Sequence, residues 1–287
     1  MFRPAPGIYA FYDGRSEGYR FGEGPNWVDQ GAISLGVASY ALVSGSEAIV
    51  YDTLVSVEHG RFIRAALEDI GVRSFTVVLS HWHLDHVAGN EAFGDCEIIA
   101  SERTGELLAA KKPAIESGEL EGPPVIDPLI LPTRVYDDRL ELTVGELELE
   151  LIHTDIHSDD ATVVWLGDRK MLLCGDTMED PITYVDEPDS LETHLRNLER
   201  LRALQPERIL PNHGDPEVIA AGGYPAGLIT ATESYLELLR RSRQEPELRE
   251  RGLTELLEPY LEDGSINYFG PYEAVHRHNI EMVLGAA

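Results

Sequence analysis

The stretch SHWHLDHVAGN (residues 80–90) decides how this chain is read, because it follows directly on the apolar, β-branched run SFTVVLS (74–80). His81, His83, Asp85 and His86 fall within six positions, and the whole chain has only 10 histidines. Imidazole nitrogen and carboxylate oxygen are the donors that borderline-soft divalent metals take, zinc above all. If the backbone stays extended past the strand, His81 and His83 point the same way at period two. A turn into a following helix then aims Asp85 and His86 at a neighbouring point. That spacing suits two adjacent metals better than one, and it is poor chemistry for a plain polar loop.

Working outward, the segments on either side read as alternating strands and helices. GIYAFY, ASYALVS and EAIVYDT, between residues 7 and 53, are strand-like. Val57 to Ile70 reads as an amphipathic helix with Phe62, Ile63, Ala66, Leu67 and Ile70 on its apolar face, ended by Gly71. CEIIAS (96–101) is a short strand, followed by a helix from Arg103 to Lys111. Pro113 to Pro132 has five prolines and no clear period, the texture of an entrance loop or lid. Strands return at LELTV, ELELELIHT, ATVVWLG and KMLLCGD. A helix over 190–204 leads to the strand RILP (208–211), and after Gly214 the texture is helical, roughly 216–221, 224–243, 246–261 and 271–284.

A cluster as short as 81–86 cannot complete two coordination spheres. Three further candidates stand at strand ends: His157 in LIHTDIHSDDATVVWL, Asp176 closing MLLCGD, and His213 in ILPNHGD. Singly, each is commonly a capping or satisfied polar residue. Together they add the one aspartate and two histidines that a dinuclear site still lacks.

H-W-H-L-D-H followed by V-A-G-N resembles the H-x-H-x-D-H signature of the metallo-β-lactamase superfamily, and His157, Asp176 and His213 extend the resemblance over about residues 8–215. The resemblance implies an α/β fold, an αββα sandwich of two mixed sheets face to face with helices outside. It implies that His81, His83 and His157 bind a first metal, that Asp85, His86 and His213 bind a second, and that Asp176 bridges them. It also implies a catalytic domain over 1–215, with a helical region over 216–287 packed on it as part of the same domain or as a subdomain. Zinc β-lactamases usually carry Cys or Ser where Asp176 stands; a bridging aspartate is typical of the thioester, lactone and phosphodiester hydrolases. The diiron oxygen reductases have Glu in place of His83.

The expected chemistry is hydrolytic. Two zinc ions per chain, with iron or manganese as substitutes, lower the pKa of a shared water to give a bridging hydroxide. That nucleophile attacks the carbonyl of a small ester, thioester or lactone, with Asp85 both a ligand and the group that orients it. Tyr184 is a candidate donor to the leaving group, set against a packed ring. Asp52, ending EAIVYD, resembles a family position that holds a metal-bound histidine. Asp155 and Asp159 read as solvated turn carboxylates, and His153, His194, His276 and His278 fall outside the site, with VHRHN on the solvated face of a C-terminal helix. The alternatives are a mononuclear iron oxygenase resembling persulfide dioxygenases, a β-lactamase-like amide hydrolase, and a metal-binding protein without catalysis.

Composition narrows the partners. In 287 residues, 51 acidic and 23 basic side chains give a net charge of −28, with Lys only at 111, 112 and 170. So acidic a chain is ill suited to nucleic acid or to anionic membranes. Arg240, Arg241, Arg243, Arg249 and Arg251 lie among glutamates, which reads as surface ion pairing rather than an anion site. A small, neutral or weakly charged substrate is expected, with a homo-oligomer left open. The 43% hydrophobic content excludes disorder. Cys96 and Cys174 make no disulfide framework and read as buried free thiols. No signal-like N-terminus or membrane-length apolar run is present, so a cytoplasmic location is expected.

Overall fold

A computed structural model of the chain describes residues 1–285. Seven strands form one mixed sheet in sequence order: β1 (Phe2–Ala5), β2 (Ile8–Asp13), β3 (Val37–Ser44), β4 (Glu47–Tyr51), β5 (Ser74–Val78), β6 (Glu97–Ser101) and β7 (Arg134–Tyr136). Pairing is antiparallel from β1 to β4 and parallel from β4 to β7. The second sheet has the order β12-β11-β10-β9-β8, from β8 (Arg139–Val144), β9 (Leu147–His153), β10 (Thr162–Leu166), β11 (Met171–Gly175) and β12 (Arg208–Pro211). Only β11 and β12 pair in parallel there.

The architecture is the expected αββα sandwich. Strands covered on both faces read as continuous apolar runs, and β3 to β5 supply Tyr40, Leu42, Tyr51 and Val78 to the space between the sheets, opposite Leu151, Val163 and Leu173. The outer face of the first sheet is covered by α2 (Val57–Asp69) and α4 (Glu102–Ser117), which follow the short α1 (Ile33–Leu35) and α3 (Leu84–Val87). The outer face of the second sheet is covered by α5 (Leu191–Ala203), α7 (Gly227–Ser242) and α10 (Tyr272–Gly285), with the short α6 (Pro216–Ala220), α8 (Leu253–Leu256) and α9 (Glu258–Glu262) between them. Leu228, Tyr235, Leu236 and Val283 join the same buried cluster as the strands. Among the described residues no helix is long and apolar enough to cross a membrane.

Several local readings change. α2 buries Gly60, Ile63 and Leu67, while Phe62 and Ile70 are exposed, because the helix meets the loop after α3 so closely that only a narrow face is covered. A Cβ on Gly60 would stand 2.5 Å from the Gly89 carbonyl oxygen, and one on Gly89 would stand 2.1 Å from that of Thr53. The motif loop is therefore clamped by backbone contacts that a side chain would block. α4 continues through Pro113 to Ser117, where Gly118 at φ 74° ends it. The 246–261 helix is broken into a short 3-10 turn, α8 and α9. Cys174 is buried as expected, but Cys96 is only half-buried.

The two sheets are pinned together at the edge where the candidate residues gather. The Thr162 N–H donates to the Ser80 carbonyl (2.7 Å), and the Ala38 N–H to that of Asn212 (2.7 Å). The Tyr40 and Tyr51 hydroxyls cross the core to the carbonyls of Pro211 and Thr162.

Candidate metal centre

All seven side chains expected as ligands converge at this edge. The loop after β5 delivers His81, which is 1% exposed. His83 sits in extended geometry as the N-cap of α3, and that single turn swings Asp85 and His86 inward. His157 arrives from the loop between β9 and β10 at φ 73°, Asp176 from the residue after β11, and His213 from just beyond β12. Ring centroids of His81 lie 4.5, 4.3 and 4.8 Å from those of His83, His86 and His157.

Their donor atoms fall into two groups joined by a third. One atom each from His81, His83 and His157 lie within 4.8 Å of one another, as do those of Asp85, His86 and His213, and Asp176 joins His81 and His86 in a third set. His83 Nδ1 is 3.1 Å from His157 Nε2. Asp176 Oδ2 is 3.1 Å from His86 Nε2, 3.3 Å from His213 Nε2 and 3.6 Å from His81 Nε2. Asp85 Oδ2 is 3.3 Å from His213 Nε2. Donors about 2.0–2.2 Å from a tetrahedral cation stand about 3.3 Å apart, so these spacings fit divalent metals. His81 Nε2 and Asp176 Oδ1 are also buried without a hydrogen-bond partner, donors left facing the gap.

Each imidazole is steered from its far side, as metal-binding histidines are. His213 Nδ1 lies 2.7 Å from the Gly36 carbonyl oxygen, His157 Nδ1 lies 3.1 Å from that of Tyr184, and His81 Nδ1 lies 2.9 Å from Ser80 Oγ. His86 Nδ1 donates to Asp52 Oδ2 at 2.9 Å. Fully buried at φ 65°, Asp52 also accepts from the Ser80 N–H and the Asn212 amide. His83 presents Nδ1 inward, with Nε2 3.7 Å from Asp186 Oδ2.

Asp160 does comparable work that the sequence did not reveal. Fully buried, it accepts from the Trp82 N–H (2.9 Å), Thr104 Oγ1 (2.8 Å) and Ser158 Oγ (2.7 Å), bracing the motif loop against α4. Its neighbour Asp159 instead pairs at the surface with Arg103. In the run SDD the two aspartates carry the same signal, and only the fold separates them.

Burial and the neighbouring imidazoles together set the charge states. Burial lowers His157 to about 4, helped by the facing His83. It also lowers His81 well below the usual imidazole value, with His86 and His83 adding to the effect. Both are neutral donors at neutral pH. Burial opposes ionisation of Asp85, but His86 and His213 outweigh it and hold the carboxyl at about 2. Asp176 is likewise held well below the carboxylate range by His213 and His86 against the effect of burial. The carboxylates are thus charged, as ligands must be.

The centre opens into a cleft of about 290 Å³ walled by Trp27, Leu35, Trp82, Leu84 and Tyr184, with Glu121, Glu179 and Asp186 as its other acidic side chains. Among the described residues lining it there is no Lys or Arg. The 118–133 segment does border this cleft, through Glu121 and through the Trp27 indole N–H donated to the Pro124 carbonyl (2.9 Å).

The Tyr184 ring stacks on His278 at 5.1 Å, with its hydroxyl 2.9 Å from His278 Nε2. The expected solvated face for VHRHN is therefore corrected. α10 turns it inward, burying His276 against the Tyr235 hydroxyl and Asn279 against the Val185 N–H and the Thr183 carbonyl. His153 stays apart, bonded to the Asp159 carbonyl. Of the C-terminal arginines, Arg240, Arg241 and Arg251 make the expected surface pairs with Glu237, Glu245 and Glu255, Arg243 pairs with Asp189 and also reaches the Pro188 carbonyl, and Arg249 reaches backbone carbonyls.

Comparison with known proteins follows the same outline. A family model described as metallo-beta-lactamase superfamily matches residues 34–213, more than half of the chain. A beta-lactamase-like protein 2 homolog of Caenorhabditis elegans is 27% identical over 181 residues, 62% of this chain and 56% of that protein. A linear primary-alkylsulfatase of Pseudomonas sp. is 25% identical over 291 residues, 82% of this chain and 52% of that protein. The chain spans little more than half the length of these relatives. A metallo-beta-lactamase family protein of Thermus thermophilus superposes with a TM-score of 0.61 at 19% identity, covering 94% of this chain and 98% of that one. The DIM-1 metallo-beta-lactamase superposes with a TM-score of 0.60 at 19% identity, covering 82% and 94%. Identity that low shows a shared fold.

Proposed function

The chain belongs to the metallo-beta-lactamase superfamily, and from that membership we propose that it is a dinuclear zinc hydrolase of a small, neutral or weakly charged ester, thioester or lactone. The observation that carries this reading is the convergence of seven donors, with Asp176 Oδ2 within 3.9 Å of His81, His86, His157 and His213 at once. A carboxylate placed among four imidazoles is suited to bridge two ions. A mononuclear iron oxygenase of the same fold would have no use for Asp85, His86 and His213 as ligands.

When bound, two zinc ions supply a water of lowered pKa and a Lewis acid for the carbonyl oxygen. The residues do the rest. His81, His83 and His157 would hold one ion, Asp85, His86 and His213 the other, and Asp176 would be shared between them. Asp85, ionised and lining the cleft, accepts a hydrogen bond from the attacking water and so orients it. Trp27, Leu35 and Trp82 bury the acyl portion and exclude bulk water. Tyr184, its hydroxyl pushed up to about 12 by burial, remains protonated near the leaving group.

The cleft supports the substrate's charge as well as its size. Glu121 and Asp186 face the cleft, and the cation beside them is Lys111, which lies 4.0 Å over the Trp82 ring and acts on Asp186, so acid outweighs base at its mouth. A sulfate ester, such as the alkylsulfatase relative's name denotes, is therefore disfavoured beside a neutral acyl compound, and so is nucleic acid. The test is a panel of neutral lactones, acyl thioesters, alkyl sulfates and cephalosporins with zinc-loaded protein. Turnover confined to the neutral acyl compounds supports the reading; oxygen consumption with iron, or turnover of the sulfates alone, overturns it.

A further inference from the structure

Asp155, Glu187 and His194 form a second convergence outside the seven ligands, and each brings a stranded atom to it. His194, in the first turn of α5, is 0% exposed, and neither of its ring nitrogens has a hydrogen-bond partner. Asp155 Oδ1 and Glu187 Oε2 are buried and unpartnered as well. Yet His194 Nε2 lies 3.4 Å from Asp155 Oδ1 and 4.0 Å from Glu187 Oε2, and the three atoms are all within 4.8 Å of one another. An imidazolium bonded directly to a carboxylate would sit at about 2.7–2.9 Å. Donors sharing a cation stand about 3.3 Å apart or a little more. Asp155, expected as a solvated turn carboxylate, is half-buried beside His194, which stands outside the seven-residue centre as expected.

We propose that Asp155 Oδ1, Glu187 Oε2 and His194 Nε2 bind one divalent transition cation, zinc or manganese, separate from the hydrolytic centre. One imidazole with two carboxylates suits these metals rather than calcium or magnesium, which take all-oxygen shells. The carboxylate side chains are 27% and 31% exposed, so the ion has a path from solvent and water completes its shell. Its role is structural. Asp155 lies two residues before His157, Glu187 follows Asp186, and His194 anchors α5. The cation thus clips the loop that carries His157 to the segment bearing Tyr184 and to the helix behind both.

The test uses the whole chain with ZnCl2 alone as the probe. Anomalous difference density at the zinc edge is expected between the three named atoms in wild-type crystals, which needs no variant to fold. In solution, Glu187→Gln and Asp155→Asn should each retain one zinc fewer per chain than wild type. Asp176→Ala should lose zinc from the hydrolytic centre and keep this ion, so the two assignments fail separately. Absence of density at the cluster, or zinc counts identical in wild type and both variants, would overturn the proposal.

Discussion

Asp52 Oδ2 accepts a hydrogen bond from His86 Nδ1 at 2.9 Å, with both side chains completely buried. The bond settles which nitrogen of His86 faces Asp176, and it couples the end of β4 to the metal-facing loop. Asp52→Ala should weaken zinc affinity 10–100-fold, the usual cost of losing such a partner. It should also strand the Ser80 N–H. Competition with a chromophoric chelator measures the affinity; wild-type affinity in the variant would show that Asp52 does not orient the ligand.

Removing metal should cost stability as well as turnover. Ions that bind only the folded chain stabilise it by RT ln(1 + [L]/Kd), about 4 kcal/mol at a thousandfold excess over Kd. Dialysis against a chelator should therefore lower Tm by several degrees, and added zinc should restore it. Calorimetry with and without chelator checks this, and an unchanged Tm counts against tightly held metal.

Asp180 gives a pH signature. Burial raises its carboxyl from 3.8 to about 6, against hydrogen bonds from Tyr224 and the Asn267 N–H. A raised folded-state value favours the protonated form, so this group's contribution is fully present below pH 3.8 and is lost as pH rises through about 6. The loss is about 3 kcal/mol at about 1.4 kcal/mol per unit. Asp180→Asn lacks the titration, so its stability relative to wild type should rise by that order between pH 4 and pH 7. Parallel denaturation curves across that range would contradict it.

The C-terminal helices should be inseparable from the sheets. Leu236 is 0% exposed in the cluster that contains Leu151 and Leu173, so Leu236→Ala should cost about 2–5 kcal/mol. A chain ending at residue 215 would keep α5 but strip α7 and α10 from the second sheet's outer face, and should not fold to a soluble protein. Urea denaturation and expression of the shortened chain test the two statements.

Much of this was legible in the sequence, for identifiable reasons. Runs such as SFTVVLS and MLLCGD declare buried strands, and a strand that ends in polar residues points to where chemistry gathers. The seven candidate ligand positions could be named because they stand at such ends. What stayed hidden depends on contacts between distant segments. β1 and β7 are short edge strands of 4 and 3 residues with little periodicity to show. Phe62 and Ile70 look like core on a helical wheel, yet the approach at Gly60 leaves them outside. His276 and Asn279 look like surface, and burial of polar groups follows from partners such as Tyr235 that no local pattern displays. Asp160 and the Asp155–Glu187–His194 cluster draw on three or more segments each.

The most direct test of the central claim follows hydrolysis of a neutral lactone or thioester identified from the panel as zinc is returned to metal-free protein. Metal content is measured by mass spectrometry at each step, and Glu187→Gln serves as the background so that only the hydrolytic centre is counted. Turnover should reach its plateau at two zinc ions per chain and be lost in Asp176→Ala. A plateau at one ion, or full turnover without Asp176, would contradict a hydrolase built on a bridged pair of metals.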